Sequence, residues 1–482
     1  MYVDMRYRTS AKVVGVVRKE PRRRDAIPYK ACTVCSVHMS STSRRLTMSM
    51  TVPRNSLRGF LAQARGALRG AIETSQNVTI VIGNESADLD SMTCSILYAY
   101  VRSMAPPRDA FSPIYIPITN IPKSDIQLRP EFLELFKHAN INSQHLLTLD
   151  DLPELSALKS KLPPQNTKWV LVDHNALQGQ LGKIYADRVG GVIDHHDEEG
   201  KVPSEAGDEP RVLEKSGSCT SLVAKYLRQS WDSLSGPGLS SGAAHAQDDS
   251  LSDDDDVVKV WDAQAAQLGL ASILIDTANL QDKSKTTDHD REAVEYLEAK
   301  IVACPKFAAS FDRNKFYEQI DSAKKDIGGM QLQDILRKDY KLWNDKGLKL
   351  GISSVVKNIE FLQKKAADEA NTGTTDDAFL EALERFATER ELDVYSLMNT
   401  STSAEGHFQR ELLVWAFGAA GIASAKKFAA ELSNELGLEE WQSGEGNSYD
   451  HDGDGYWRNV WWQRQVQHSR KRVAPLLREA MI

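Results

Sequence analysis

The chain has 482 residues, of which 41% are hydrophobic and 26% charged, with a formal net charge of −8 and five cysteines. These are the values of a globular protein that buries a core and divides into two or three domains. They exclude wholesale coating of nucleic acid and a disulfide-built scaffold, and no apolar run approaches the roughly 20 residues that cross a bilayer.

Residues 1–54 form a basic extension; residues 1–50 hold eleven Lys/Arg and only three Asp/Glu. The reading is a tail without a fold or a start preceding the true one at Met48 or Met50, with a mitochondrial transit peptide as the competing reading. Cys32 and Cys35 make a CxxC, but no second ligand pair follows at zinc spacing, so they are incidental. From residue 55 the pattern becomes regular. Residues 55–75 carry apolar positions at helical spacing, 77–83 read as a strand, and Met92, Ile96, Leu97, Tyr100, Val101 and Met104 keep one helical face. Strand, polar cluster and helix then recur to about residue 300. That alternation predicts an α/β fold with a mainly parallel, doubly wound sheet over 55–312. WVLV (169–172) and SILI (272–275) are apolar on both faces, as strands covered by helices on two sides must be.

Residues 230–258 are rich in Ser, Gly and Asp and read as an exposed, disordered insert, with the acidic run 253–256 solvated. A smaller α/β domain is expected over 313–482. Within it, 316–345, 376–398 and 407–437 read as helical, 348–356 and 457–465 as strands, and 442–456 as a loop. Asp450, Asp452, Asp454 and Gly455 imitate the start of a calcium loop, but Trp461 stands where its closing Glu belongs, so a solvated loop is the reading.

Four apolar, β-prone runs each end in an acidic or acid/imidazole cluster. NVTIVIG leads to Asn84-Glu85-Ser86-Ala87-Asp88-Leu89-Asp90-Ser91, KWVLV to Asp173-His174-Asn175, VGGVI to Asp194-His195-His196, and ASILI to Asp276-Thr277. An Asp after a strand is most often a turn or cap residue. Four in order place hard donors along one sheet edge, where α/β sheets bind ligands. Carboxylates and imidazoles suit Mn²⁺, Mg²⁺ or similar ions rather than softer metals. Asp88 and Asp90 lie two apart and can serve different ions, Asp173 can bridge, and His195 and Asp276 can complete the second. Two ions about 3.5–4 Å apart activate an attacking water and neutralise phosphoryl oxygens. Ser469, Arg470 and Lys471 would supply cationic donors if the second domain folds over the sheet edge.

The segments GNESADLDS (83–91), DHN (173–175), DHH (194–196) and SRKR (469–472) resemble the DHH phosphoesterases, specifically the branch with a DHHA2 C-terminal domain. That branch includes family II inorganic pyrophosphatases, fungal-type exopolyphosphatases and prune-like proteins. The resemblance covers residues 55–482 apart from the insert and implies an active site in the interdomain cleft. It implies metal ligation by Asp88, Asp90, Asp173, His195 and Asp276, with Asn84 where the pyrophosphatases carry their first histidine ligand. It implies that His196 faces the substrate and nucleophile, that Arg470 and Lys471, with Ser469 beside them, bind phosphate, and that Lys341, Lys283 and Thr287 contact substrate. His196, Asp173, Arg470 and Lys471 are the expected catalytic group. Two divalent ions are expected, Mn²⁺ or Mg²⁺ with Co²⁺ as a third candidate. An amide oxygen binds more weakly than imidazole, so Asn84 makes Mg²⁺ more competitive.

Asn84 is typical of the exopolyphosphatase and prune branches, and prune-like proteins often carry Arg where this chain has His196. The segment DILRKDYKLW (334–343) also resembles the fungal exopolyphosphatases. The function implied is removal of terminal orthophosphate from inorganic polyphosphate. The alternatives are a pyrophosphatase, a small-nucleotide phosphodiesterase or a prune-like scaffold. The expected partner is polyphosphate or another small phosphoanhydride, with no nucleic acid or membrane, in a cytoplasmic monomer.

Overall fold

The first sheet is built from strands β1 (Val78–Ile82), β2 (Tyr115–Ile118), β3 (Thr167–Val172), β4 (Val189–Asp194) and β5 (Arg211–Leu213). They run parallel in the order β2-β1-β3-β4-β5. This is a computed structural model, and it describes residues 54–205, 207–234, 251–370, 375–441, 449–453 and 455–481. The basic extension with Cys32 and Cys35, the heart of the expected insert, most of the 442–456 loop and Asp454 lie outside those residues. Around the sheet pack α1 (Leu57–Thr74), α2 (Leu89–Met104), α3 (Pro130–Ala139), α4 (Leu155–Lys161), α5 (Gly179–Tyr185), α6 (Cys219–Leu234), α7 (Leu251–Asp276), α8 (Asp288–Val302), α9 (Pro305–Ala308) and α10 (Arg313–Lys325). Strand β1 is buried throughout, and β3 and β4 are buried except at Lys168 and Gly190. A sheet so covered is apolar on both faces. Strand order reverses between β1 and β3, so the carboxyl ends of these two strands flank the crevice where such folds bind ligands.

The second sheet contains β6 (Tyr340–Asp345), β7 (Leu348–Val355), β8 (Val394–Thr402), β9 (Phe408–Phe417), β10 (Leu438–Glu440), β11 (His451–Asp452) and β12 (Tyr456–Gln463). Its order is β10-β12-β9-β8-β7-β6, with β11 paired to β12; only β7 and β8 are parallel. Side chains alternate along β9. Leu413 and Trp415 join a core with α11 (Leu332–Lys338), α12 (Ile359–Ala370) and α13 (Thr375–Glu389). Leu412 and Val414 face α14 (Gly418–Lys427), α15 (Ser433–Leu436) and α16 (Arg470–Ala480). Helix α10 gives Phe316 and Ile320 to the first core, and the second opens at Ile327. Both sheets belong to the unit Ser49–Ile482. No described helix is long and apolar enough to cross a membrane.

Several local expectations are corrected. ASILI is not a strand but the end of α7, in which residues 262–274 are all buried. A continuous apolar run does not distinguish a buried strand from a central helix, and the alanine-rich AQAAQLGLA before it favours helix. Residues 230–234 finish α6, and 251–258 begin α7, so the insert is shorter at both ends than expected. Tyr340–Asp345, Val394–Thr402 and Phe408–Phe417 are strands at the borders of segments read as helical. Tertiary pairing on β7 and β8 overrode their weak helical spacing. In the calcium-loop mimic, Asp450 accepts the Val460 N–H at 3.0 Å and Asp452 pairs with Lys426 at 2.6 Å, so both are spent on structure.

Candidate active site

Strand β1 is followed by Gly83, where a Cβ would lie 2.6 Å from the Ser91 Cβ and 2.8 Å from its carbonyl oxygen. Glycine therefore lets the first turn of α2 close onto the strand end. Asp88 caps that helix by accepting the Ser91 N–H at 3.0 Å. Asp90 meets the start of α6: its carboxylate accepts Ser218 Oγ at 2.7 Å, Cys219 N at 2.6 Å, Thr220 N at 3.0 Å and Thr220 Oγ1 at 2.6 Å. An anion at a helix N-terminus is stabilised by these free N–H groups. Arg129 holds the turn from outside, donating from Nε to Ala87 O at 3.1 Å and from Nη2 to Ser86 O at 2.5 Å.

Asp173 directly follows β3 and sits in the left-handed region at φ 60°. A non-glycine residue there carries about 1–3 kcal/mol of strain, a cost usually found at functional sites. Its carboxylate is divided between two tasks. Oδ2 accepts Asn84 Nδ2 and Ser91 Oγ, each at 2.7 Å. Oδ1 faces His195 Nε2 at 3.1 Å and His196 Nδ1 at 3.8 Å. Burial, then the neighbouring Asp88 and Asp90, push the Asp173 carboxyl up to about 6.

The DHH segment closes β4. Asp194 accepts His196 Nδ1 at 2.7 Å and Asn175 Nδ2 at 2.6 Å. Burial raises its carboxyl, but the contacts from His196, His195 and Asn175 outweigh that and hold it well below the carboxylate range. Burial and Lys471 lower His196 to about 3, so it is a neutral imidazole that donates from Nδ1 and leaves Nε2 as an acceptor. The Ser216 carbonyl lies 3.0 Å from His195 Nδ1 and fixes the proton there, which frees His195 Nε2 for the cluster.

The second sheet and α16 face this edge across a cleft of about 1010 Å³. Lys471 Nζ stands 2.6 Å from His195 Nε2. Arg470 is locked by Asp339, donating to its carbonyl at 2.9 Å and its carboxylate at 2.6 Å. Ser469 caps α16 and aligns that first turn. Lys341 lies on β6 in the cleft wall, where burial and then Arg470 hold its ammonium below the ordinary lysine range.

The donor set fits divalent metal ions. Asp173, His195 and His196 each offer an atom within 4.8 Å of the others. Asp276 lines the same cleft without a hydrogen bond or ion pair among the described residues, and burial and then Asp90 push its carboxyl well up. Crowded carboxylates with raised affinity for protons lack positive charge, and the Lys471 ammonium stands against the freed histidine nitrogen where a cation belongs.

Not every expected residue joins this set. The Asn84 oxygen accepts Ser86 N at 2.9 Å and Ser86 Oγ at 2.6 Å, and its amide nitrogen faces Asp173. The Ser86 N–H can only donate, so it fixes this orientation. Asn84 braces Asp173 rather than presenting an oxygen to the cluster. Lys283 is exposed and off the cleft wall, whereas Lys285 of the same loop lines it. Thr287 lines the cleft but caps α8 in a reciprocal box with Asp290. Sequence reasoning missed Arg129, Asp339 and the Ser218–Thr220 cradle. The last had a signal, SGSCTS before a helical run; the other two act through contacts distant in sequence.

Residues 78–247 match the model of the DHH family, N-terminal domain, and residues 318–480 match the DHHA2 domain. The chain is 30% identical over 430 residues to the "Putative exopolyphosphatase" of Schizosaccharomyces pombe, covering 88% of this chain and 97% of that one. It is 29% identical over 301 residues to rat "Exopolyphosphatase PRUNE1", covering 61% of this chain and 56% of that longer relative. It is 26% identical over 357 residues to the "Manganese-dependent inorganic pyrophosphatase" of Methanothrix thermoacetophila, covering 73% and 90%. A Methanococcus jannaschii structure described as a "putative family II inorganic pyrophosphatase" shares the fold at a TM-score of 0.50 with 18% identity, covering 84% of this chain and 99% of that one.

Proposed function

The chain belongs to the DHH family and carries a DHHA2 domain, and on that premise we propose that it is a metal-dependent hydrolase releasing terminal orthophosphate from inorganic polyphosphate. One observation carries the reading: the carboxylate–histidine edge of the first sheet faces Lys341, Arg470 and Lys471 of the second lobe, with Lys471 Nζ 2.6 Å from His195 Nε2. A site with anionic donors on one wall and cationic donors on the other suits a phosphoryl group between them.

Asp88, Asp90, Asp173, His195 and Asp276 would hold two divalent ions, with Mn²⁺ and Mg²⁺ as candidates. When bound, such ions lower the pKa of water and neutralise phosphoryl charge. The remaining work falls to side chains of this chain. His196 offers Nε2 as a proton acceptor, with Nδ1 3.8 Å from Asp173 and its tautomer held by Asp194. Arg470 presents a guanidinium fixed by Asp339, a geometry that favours paired contacts to phosphate oxygens. The start of α16, capped by Ser469, adds backbone N–H groups and a positive helix end. Lys341 adds a desolvated ammonium.

The cleft extends from this centre to Lys285 and Arg410, and its volume is at the top of the range for sites of drug-sized ligands, about 300–1,000 Å³. That extent favours a polymer end over pyrophosphate alone. The test is orthophosphate release from polyphosphates of several lengths, pyrophosphate and a cyclic nucleotide, by wild type and Asp173→Asn. The reading expects polyphosphate to be cleaved best and Asp173→Asn to lose about 10²-fold or more. Inert polyphosphate would end it. A scaffold role would be favoured instead if Asp173→Asn also kept all partner binding.

A further inference from the structure

Away from the cleft, α3, α7, α9 and α10 border a second, solvent-open cavity of about 490 Å³. Its floor is polar and buried: Gln264 and Gln267 of α7 are 6% and 3% exposed. Gln267 donates from Nε2 to the Ala263 carbonyl at 3.3 Å, and the His138 ring stands edge-on to Phe316 at 4.9 Å. Burial holds that imidazole below its ordinary range, so it is neutral. Gln264 differs from its neighbours. It lines the cavity, and its side-chain amide has no hydrogen-bond partner among the described residues. The amide therefore opens onto the pocket, where its hydrogen-bonding capacity is left to solvent or a ligand.

The rim is cationic. Lys306 and Lys315 line it, and neither has a carboxylate partner among the described residues. Lys137 also lines it but is paired with Glu134. The acidic group on the wall is Asp312, which caps α10 by accepting the Lys315 N–H at 3.1 Å. That carboxylate already occupies the positive end of α10, which leaves the two unpaired lysines as the cationic groups of the rim. Two unpaired ammonium groups against one carboxylate do not suit a metal ion, and a floor of amides does not suit an apolar ligand. We propose that this cavity is a second binding site, separate from the catalytic cleft, for a small phosphate-class oxyanion, with Gln264 as the buried donor and Lys306 and Lys315 as the charges.

The two sites are distinct in space. Gln267 precedes the cleft residue Asp276 by nine positions on α7, about 13 Å along the helix axis. The other walls make the same connection: α3 follows Arg129 and α10 ends next to Lys324, both of which line the cleft. This assignment does not depend on the reaction proposed above.

Calorimetric titration of the metal-free full chain with inorganic phosphate and, separately, pyrophosphate tests it. A binding event is expected that survives Arg470→Ala/Lys471→Ala and is weakened about tenfold or more by Lys306→Glu/Lys315→Glu. Whichever anion gives that event is the ligand class. Both reversed lysines are exposed, and an unchanged thermal midpoint verifies that the variant folds. Gln264→Leu provides a second readout. It removes the unpaired amide, so it is expected to keep or raise the melting temperature without anion while losing the added stability that anion confers. The assignment is overturned if neither anion binds, if the charge reversal leaves affinity within a factor of about two, or if the sole event disappears with Arg470→Ala/Lys471→Ala.

Discussion

Replacing Lys338 by alanine should cost far more stability than replacing its neighbour Arg337. Both side chains leave the end of α11 for the first lobe, Arg337 to Asp125 and Lys338 to Glu131, each at 2.7 Å. They differ in their contact with solvent. Arg337 and Asp125 are 32% and 18% exposed, whereas Lys338 and Glu131 are 11% and 3% exposed. An exposed pair contributes about 0–1 kcal/mol, which sets the expected loss for Arg337→Ala. Without Lys338, Glu131 would be a buried carboxylate whose Oε2 already has no partner among the described residues. Breaking a buried pair from one side costs about 3–5 kcal/mol. Arg129 lies near enough to interact with Glu131, so the lower end of that range is expected. Lys338→Met/Glu131→Leu removes both charges and should cost less than Lys338→Ala alone. Urea unfolding of the four proteins, followed by fluorescence and circular dichroism to check that the transitions coincide, measures the losses. Equal losses for Arg337→Ala and Lys338→Ala, or a double replacement as costly as the single one, would refute the reasoning. The latch also bears on the site. Lys338 directly precedes Asp339, which holds Arg470, so Lys338→Ala is expected to raise KM for the phosphoanhydride more than it lowers kcat.

Three further outcomes are expected. Gly83→Ala forces a Cβ against Ser91, so it should destabilise by about 1–3 kcal/mol and weaken Mn²⁺ binding, as read by thermal shift and metal titration. An unchanged metal affinity would show that the approach of α2 to β1 does not set the cluster. Arg470→Lys keeps the charge but loses the two-pronged hold on Asp339, and KM for polyphosphate should rise about tenfold; a KM equal to wild type would show that charge alone suffices. Chelation should abolish phosphate release and Mn²⁺ or Mg²⁺ should restore it, whereas activity persisting in chelator would rule out the metal reading.

The order of clusters along the chain was enough to find the first lobe and its reactive edge. β1, β3 and β4 are short apolar runs bounded by polar turns, and such runs are legible because the strand period and its interruption are local properties. The DHH and SRKR segments were legible for the same reason: each is a contiguous string. The fourth cluster was identified correctly in position and wrongly in structure, because an apolar run buried on every side has no period to read, and Asp276 reaches the cleft from a helix end. The strands of the second sheet were partly hidden among helical spacings, since β6, β8 and β9 depend on partners far along the chain.

By itself, the sequence determined which residues carry acid, imidazole and cation, and in what order. Tertiary structure alone decided how they are used. The Asn84 oxygen is committed to Ser86 and its amide to Asp173, Lys285 rather than Lys283 reaches the cleft, and Lys471 arrives beside His195 from the other lobe. A side chain's chemistry is a property of its residue, but its direction and partners are set by hydrogen bonds and packing between segments that only the folded chain brings together.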